Sequence, residues 1–290
     1  MKPNAMKRGK DNFSRKILCL AVALTLLPAA ALAQQSAEVE FGLGNVSRDS
    51  NKFGEYNGLN KDGAYLIGNL DFRKRDPDSA VYWGVTGTGL GLSSRNLSAE
   101  YGVPGNFKLS FEYDQRPKFG PDSAKTIYNG AGTNNLTLPA TWSAINSTTD
   151  TAGTAAGLAL REAKINPFLQ SVNLDKERKN YIFGLSKFLG TGWDAKVKFR
   201  HETKEGTKLI GAVFGNSGGN PRSTLIPEPI DYQTNELEAS VGYASAKMQF
   251  QAGYYLSLFN NQNAALRFQN AFTNTAWSAG AGYPTGFGQM

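Results

Sequence analysis

The sequence predicts an all-β fold made of antiparallel transmembrane strands, as in a membrane-spanning barrel. Three observations favour it. Many segments alternate between apolar and polar residues, the strong segments run for about 9–13 residues, and an export signal precedes them. A tilted strand needs ~9–11 residues to cross a bilayer, whereas strands of soluble sheets usually have about 5–6. A soluble β-sandwich would show the same alternation, so strand length and the export signal favour the membrane.

The clearest alternating segments are 106–114 and 192–202. Side chains point to opposite faces at successive strand positions, so each segment would have one apolar and one polar face. In 106–114 the apolar face carries Phe107, Leu109, Phe111 and Tyr113, and the polar face carries Asn106, Lys108, Ser110, Glu112 and Asp114. In 192–202 the apolar face carries Trp193, Ala195, Val197 and Phe199, and the polar face carries Asp194, Lys196, Lys198, Arg200 and Glu202.

The same rule predicts nine strands and offers a tenth candidate, 207–214. The nine are 37–46, 62–74, 80–91, 93–102, 106–114, 177–189, 192–202, 235–243 and 247–258. Long connections (47–61, 117–176 and 205–232) share one parity, as they do where external loops are long and periplasmic turns short. The short connection near Leu92 is the exception. The tenth candidate, 207–214, would break this parity and is therefore assigned to the 205–232 loop.

Residues 1–33 are predicted to be a secretory signal peptide, and residues 34–290 the barrel region. An apolar run from Ile17 to Leu27 follows a basic start, and Ala31-Leu32-Ala33 provides the small residues of a cleavage site. The alternative, a membrane anchor, requires a longer apolar run than these residues provide. Six bases and one acid lie in this segment, so it carries +5 of the chain's +7. The remaining +2 gives little support for a nucleic-acid partner.

The sequence predicts no catalytic, cofactor-binding or metal-binding residues. The only cysteine, Cys19, lies inside the signal, so the mature chain has no disulfide, thiolate site or Cys-x-x-Cys-His haem attachment. The only histidine, His201, falls in the apolar register at a strand end, where an interfacial ring is the expected role rather than catalysis. No hydrolase or phosphate-binding motif is present. These absences weigh against an outer-membrane enzyme.

Two features leave alternatives open. The polar faces carry charged residues that fit either a solvated lumen wall or a surface that meets a docked protein. These residues are Glu112, Asp114, Lys196, Lys198, Arg200, Glu236 and Glu238. The segment 117–176, rich in Gly, Thr, Asn, Ala and Ser, fits either a mobile external loop or a partner-contact surface.

The end of the sequence predicts an incomplete barrel. Residues 260–290 lack a good strand, and nine strands is an odd number, whereas bacterial single-chain barrels have even numbers. An open barrel would leave strand edges unpaired in lipid. We therefore expect the N-terminal portion of a larger barrel. The alternative is a complete small barrel with further strands in the loops.

Several blocks, in order along the mature chain, resemble the MtrB/PioB family of decahaem-associated outer-membrane proteins. They are Lys52–Leu59, Gly91–Arg95 with Glu100–Gly102, Phe111–Pro117, Leu136–Pro139 with Trp142, Pro227–Thr234 and Tyr254–Asn261. The resemblance implies a large barrel that sheathes a multihaem c-type cytochrome and carries no haem of its own. Family members are much longer. Some also have a Cys-x-x-Cys near the mature N-terminus, which this chain lacks.

The sequence therefore leads to one main hypothesis and two rivals. The main one, implied by the resemblance, is a sheath in the bacterial outer membrane that positions a periplasmic or lumenal multihaem cytochrome for electron transfer. The runner-up is a passive porin for small solutes, and the third is an outer-membrane enzyme. Membrane lipid is an expected partner in every case.

Overall fold

The computed structural model describes residues 35–146, 155–217, 220–273 and 287–289. The predicted signal peptide, 1–33, lies outside the described residues. Nine long strands form one antiparallel sheet in chain order, which confirms the nine predicted strands. They are β1 (Gln35–Val46), β2 (Gly63–Arg75), β3 (Tyr82–Leu90), β4 (Asn96–Val103), β5 (Phe107–Lys118), β6 (Lys176–Gly190), β7 (Trp193–Ser217), β8 (Asn220–Ala244) and β9 (Gln249–Asn261). Among the described residues the sheet is open, with β1 and β9 at its edges.

The connections between strands alternate between two ends of the sheet. Tight connections join β2 to β3, β4 to β5, β6 to β7 and β8 to β9, and we call this the short-turn end. The other four connections lie at the opposite, long-loop end. The short connection from β3 to β4 belongs there too, because the 47–62 loop packs against it: Ser94 Oγ donates to Asn57 O at 2.7 Å. That loop contains a single-turn helix, α1 (Asn51–Gly54).

The segment 205–232 is not a loop, so that part of the prediction is wrong. Its described residues, 205–217 and 220–232, form the outer halves of β7 and β8, and the tenth candidate strand, 207–214, is part of β7. Pro227 and Pro229 argue against a strand in the sequence, but β9 pairs with β8 only from Tyr232 onward. Asp231, of the same parity as the prolines, accepts from Gln262 N on that side at 2.9 Å. The backbone nitrogens of both prolines therefore face the side of β8 where β9 does not pair with it. The absence of an N–H at these positions costs no hydrogen bond of the sheet.

Gly206 marks the point where β7 runs past the start of β6. Its φ of +135° is one that L side chains rarely adopt, and a Cβ here would overlap Asp175 O. Gly206→Ala should therefore lower the free energy of unfolding by about 1–3 kcal/mol. Gly211→Ala, farther along the same strand with nothing within 4 Å of its Cβ position, is the matched control. Urea titrations of the two variants should differ; equal midpoints would contradict the strain at Gly206.

The described residues between β5 and β6, 119–146 and 155–175, are structured and pack with residues after β9. They contain short strands at Lys125–Thr126, Asn135–Leu136, Ile145–Asn146 and Gln170–Ser171, helix α2 (Ala155–Ile165) and a 3₁₀ turn at Asn166–Phe168. Further short strands lie at Arg267–Gln269, Phe272–Thr273 and Phe287–Gln289. We call residues 119–146, 155–175 and 262–273 together the cap. In the part of the chain that the structure describes, no helix is both long and apolar enough to span a membrane.

The cap has a small apolar core of its own. Tyr128 and Leu136 are fully buried, and Phe268 and Leu266 pack with them from the far side of the sequence. Parallel pairing of Asn135–Leu136 with Arg267–Phe268 ties the two segments together. Tyr128 Oη also donates to Gln269 O at 3.1 Å, and Trp142 Nε1 to Ala271 O at 3.3 Å. The described residues of 117–176 are therefore packed into a small structured unit.

Candidate functional site

One face of the sheet is apolar over all nine strands, and no described residue forms a second layer over it. Across β3 to β7, one register row joins Trp83, Tyr101, Leu109, Leu185 and Val197. Large side chains on this face are exposed: Phe183 to 50% and Phe41 to 59%. A soluble sandwich would bury such a face against another sheet. An exposed apolar face backed by a polar one is instead the pattern of a strand wall between lipid and water.

Aromatic side chains border this apolar face at both ends. At the short-turn end the ring centroids of Trp193 and Tyr243 are 4.9 Å apart, and Tyr101 lies 5.8 Å from Phe107. At the long-loop end Tyr113 and Tyr181 are 5.0 Å apart. From Trp193 to His201 the strand rises by about 26 Å. Aromatic girdles on either side of an apolar band about 25 Å tall are typical of outer-membrane barrels.

His201 lies where the sequence places it, in the apolar register at the long-loop border. It pairs with Tyr181 on β6 and Asn235 on β8. Its Nδ1 is 2.8 Å from Asn235 Oδ1, and its ring centroid is 6.2 Å from that of Tyr181. This geometry fits an interfacial ring, since an aromatic neighbour and a polar neighbour satisfy it together.

The seven charged residues predicted to share one face do share it, and each has a polar partner there. Arg200 bridges strands, with Nη1 3.1 Å from Glu236 and Nε donating to Asn180 at 3.0 Å; it also pairs with Glu202. Lys198 and Glu238 are 3.5 Å apart. The remaining pairs are Asp114 with Arg116 at 2.8 Å, Lys196 with Asp194 at 3.5 Å, and Glu112 with the Asn96 amide at 3.3 Å. Since opposite charges lie side by side, this face has no large field of one sign.

Glycines lie between these charged residues on the polar face, and four of them are not demanded by the fold. A Cβ built on Gly42, Gly44, Gly84 or Gly253 would meet no atom nearer than 3.4 Å. Glycine in a strand interior costs about 0.5–1 kcal/mol relative to alanine. In strands it often marks a place where a ligand or another backbone comes close. At these four positions the polar face therefore carries less side-chain volume than its own packing would allow, and we call this the low relief of the polar face.

The cap joins the sheet on the side that continues this polar face. Beyond the Lys208–Glu228 pair the polar-face parity of the β7–β8 hairpin becomes apolar, and Ile210, Ala212 and Ile226 pack into the cap core. On the other side of the hairpin, Thr207 and Pro227, which are nearer the nine-stranded wall, are buried. Farther out on that side, Val213 is 70% and Leu225 61% exposed. The cap core therefore packs against the side of the hairpin that continues the polar face.

The pKa shifts in the cap, in the β7–β8 hairpin and in the 47–62 loop stabilise the ordinary charge of each group. Burial raises the pKa of the Tyr128 phenol, which keeps it neutral. A hydrogen bond from Lys208 to Glu228, 3.0 Å long, raises the pKa of Lys208 on the hairpin. In the 47–62 loop, the backbone N–H of Asp62 and then the Lys61 ammonium lower the pKa of Asp49. All these groups keep their ordinary charge at neutral pH.

The described residues contain no group of three or more His, Cys, Asp or Glu side chains that could hold a metal ion. The sequence reasoning missed the cap and the glycines. The apolar spacing of Ile210, Ala212 and Ile226 was a signal that could have revealed the cap. The low relief of the polar face could not have been read from the sequence, because the space around each glycine depends on side chains of neighbouring strands.

Comparison with known proteins agrees with this geometry. A relative, outer membrane protein MtrB of Shewanella baltica (strain OS185), is 28% identical over 186 residues, which cover 64% of this chain and 24% of the relative. The chain thus spans about a quarter of the length of that relative. The family model for the outer-membrane β-barrel porin MtrB/PioB matches residues 45–285, most of the sequence.

A wall of antiparallel strands, apolar toward lipid and polar on its other face, is what a porin-like barrel of the outer membrane requires. The chain belongs to the MtrB/PioB family of outer-membrane β-barrel proteins.

Proposed function

We propose that this chain forms part of a barrel wall that houses and positions a multihaem c-type cytochrome for electron transfer across the outer membrane. The partner would hold all the haem, and the chain would insulate and orient it. The resemblance to the MtrB/PioB family suggests this role, and the polar face supports it. Residues 1–33 would direct export as a signal peptide and then be removed.

The low relief of the polar face is the observation that carries the proposal. Gly42, Gly44, Gly84 and Gly253 leave room that their own neighbours would allow a side chain to fill. A water-filled pore gains nothing from omitting those side chains, whereas a folded protein inside the barrel needs the clearance for its backbone and side chains. The strands bear the conformational cost of these glycines for that reason.

The paired charges support the same role. The Arg200–Glu236 and Lys198–Glu238 pairs lie across β7 and β8 and neutralise each other within the wall. A wall of this kind does not attract solutes of one charge sign. It still offers polar groups around its circumference, and a protein partner can hydrogen-bond to these directly or through water.

The test narrows the lumen without disturbing the strands. The double variant Gly84→Gln, Gly253→Gln puts two side chains into the cleared space, and Gly84→Ala, Gly253→Ala is the matched control. C-type haem that co-purifies with the barrel should fall at least about tenfold in the glutamine variant, since a clash of ~1.4 kcal/mol has that effect. It should stay unchanged in the alanine variant. Heat-modifiable gel mobility verifies that both barrels are folded.

Retention of haem by the glutamine variant, or wild-type barrel free of c-type haem, would contradict the proposal. The second outcome favours the rival function, a passive porin, which the family's description as a porin supports. The porin hypothesis predicts steady ion conductance when the purified barrel alone is placed in a planar bilayer. A sheath should conduct little with its partner in place and more once the partner has been removed.

A further inference from the structure

A groove of about 560 Å³ opens on the apolar face between β3 and β7. Its walls are large side chains, among them Trp83, Tyr101, Phe111 and Phe199, and its floor is low where Ala99 lies between them. On a wall that faces lipid, apolar side chains meet acyl chains everywhere. A depression bounded by fixed rings differs from the rest of that surface, since a chain lying in it contacts protein on several sides.

A basic rim lies beyond the groove, at the short-turn end of the sheet. One register row beyond the groove, Lys187 lies opposite Phe107, and its ammonium is 5.9 Å from the centroid of that ring. A second hollow of about 350 Å³ lies there, lined by Lys108, Lys187, Lys196 and the 104–106 turn. Of the three lysines only Lys187 lies in the apolar register, since Lys108 and Lys196 share the polar register with Ser186.

The lysines of this rim are not equivalent. Lys108 is paired with Glu100 at 2.7 Å and Lys196 with Asp194 at 3.5 Å. Lys187 instead donates to the amide oxygen of Asn106, and among the described residues it has no carboxylate partner. It shares the apolar register with Leu185, so its charge lies at the lipid-facing border. An uncompensated ammonium at this depth attracts lipid phosphate.

We propose that the apolar groove and Lys187 together form a binding site for one anionic phospholipid, with an acyl chain in the groove and the headgroup phosphate at the Lys187 ammonium. The side-chain amide of Asn106, whose oxygen accepts from Lys187, lies beside the headgroup. Because short turns face the periplasm in outer-membrane barrels, the site lies in the periplasmic leaflet. The proposal uses the lipid-facing side only and does not depend on what occupies the lumen.

Trp83 provides the readout, since it lines the groove. The purified protein is reconstituted in phosphatidylcholine vesicles that contain phosphatidylglycerol brominated on its acyl chains, or brominated phosphatidylcholine as the headgroup control. Bromine quenches tryptophan on contact. Subtracting the signal of a Trp83→Phe variant isolates this residue from the other tryptophans. The expected result is stronger Trp83 quenching by brominated phosphatidylglycerol than by brominated phosphatidylcholine at equal content.

Two variants divide the site into its parts. Lys187→Gln should lower the preference for phosphatidylglycerol about fivefold, the effect of one lysine near an anionic lipid surface. Lys247→Gln, at another short turn, is its control and should leave the preference unchanged. Ala99→Leu fills the groove and should reduce quenching by both lipids, whereas Ala252→Leu on the same face outside the groove should not. Gel mobility verifies folding of all four variants.

Three results would overturn the proposal. The first is equal quenching by the two brominated lipids in the unsubstituted protein. The second is a preference that survives Lys187→Gln, which would mean ordinary lipid contact without headgroup recognition. The third is loss of the preference on addition of inorganic phosphate to the level expected from Lys187→Gln, together with no effect of Ala99→Leu. That outcome would identify a site for free phosphate instead of a phospholipid.

Discussion

Lysine in place of Ala99 should lower the free energy of unfolding by about 1–3 kcal/mol, between the costs at the interface and at the midplane, whereas lysine in place of its chain neighbour Ser98 should change it by less than about 1 kcal/mol. Ala99 lies on the apolar face between Val85 and Phe111, one row inside the aromatic border at Tyr101. A charge there must lie in hydrocarbon or distort the wall to reach water.

Ser98 is the matched position, since both substitutions replace a small residue by lysine in adjacent rows of β4. It faces the polar side between Thr86 and Glu112. The substitution removes the 2.6 Å hydroxyl contact with Thr86, but the new ammonium lies opposite the Glu112 carboxylate. Urea titration in lipid vesicles, followed by gel mobility, measures both variants. Equal destabilisation would contradict the assignment of the two faces to lipid and water.

The strands could be predicted because their pattern depends on one simple difference. Every residue from Phe107 to Tyr113 faces either lipid or water, so the chain must alternate with period two, and no distant residue is needed to recognise it. His201 follows from the same register. The period does not fix where a strand ends. The predicted strand 93–102 begins at Asn96 in the structure, because Gly91, at φ +99°, starts a turn that runs through 95.

The cap could not be predicted in this way. Tyr128 and Leu136 belong to two short apolar pairs, with Ile127 and Leu138, in a stretch dominated by small polar residues, and no period connects one pair with the other. Their partners are distant in sequence: Tyr128 Oη donates to Gln269 O, 141 residues away. The low relief of the polar face could not be predicted for the same reason, because it too depends on residues that are distant in sequence. What Gly84 leaves open is decided by Glu100 on the next strand, so the glycine alone carries no such information.

Leu136→Ala should unfold the cap while leaving the strand wall folded. Leu136 is fully buried in the cap core, and removing such a side chain costs about 2–5 kcal/mol. Proteolytic cleavage within 119–175 should then become about a hundredfold faster if it proceeds through local opening. Leu158→Ala on α2, where the side chain is 44% exposed, is the control and should leave cleavage unchanged.

The two readouts separate the cap from the wall. The cap packs on β7 and β8 through Ala212 and Ile226, beyond the aromatic border at His201, so its loss leaves the pairing from Trp193 to His201 in place. Heat-modifiable gel mobility of Leu136→Ala should therefore match that of the unsubstituted barrel. If the urea midpoint of the wall falls in step with the increase in cleavage, cap and wall unfold as one cooperative unit. The long hairpin would then transmit strain from the long-loop end into the membrane, contrary to the local unfolding expected here.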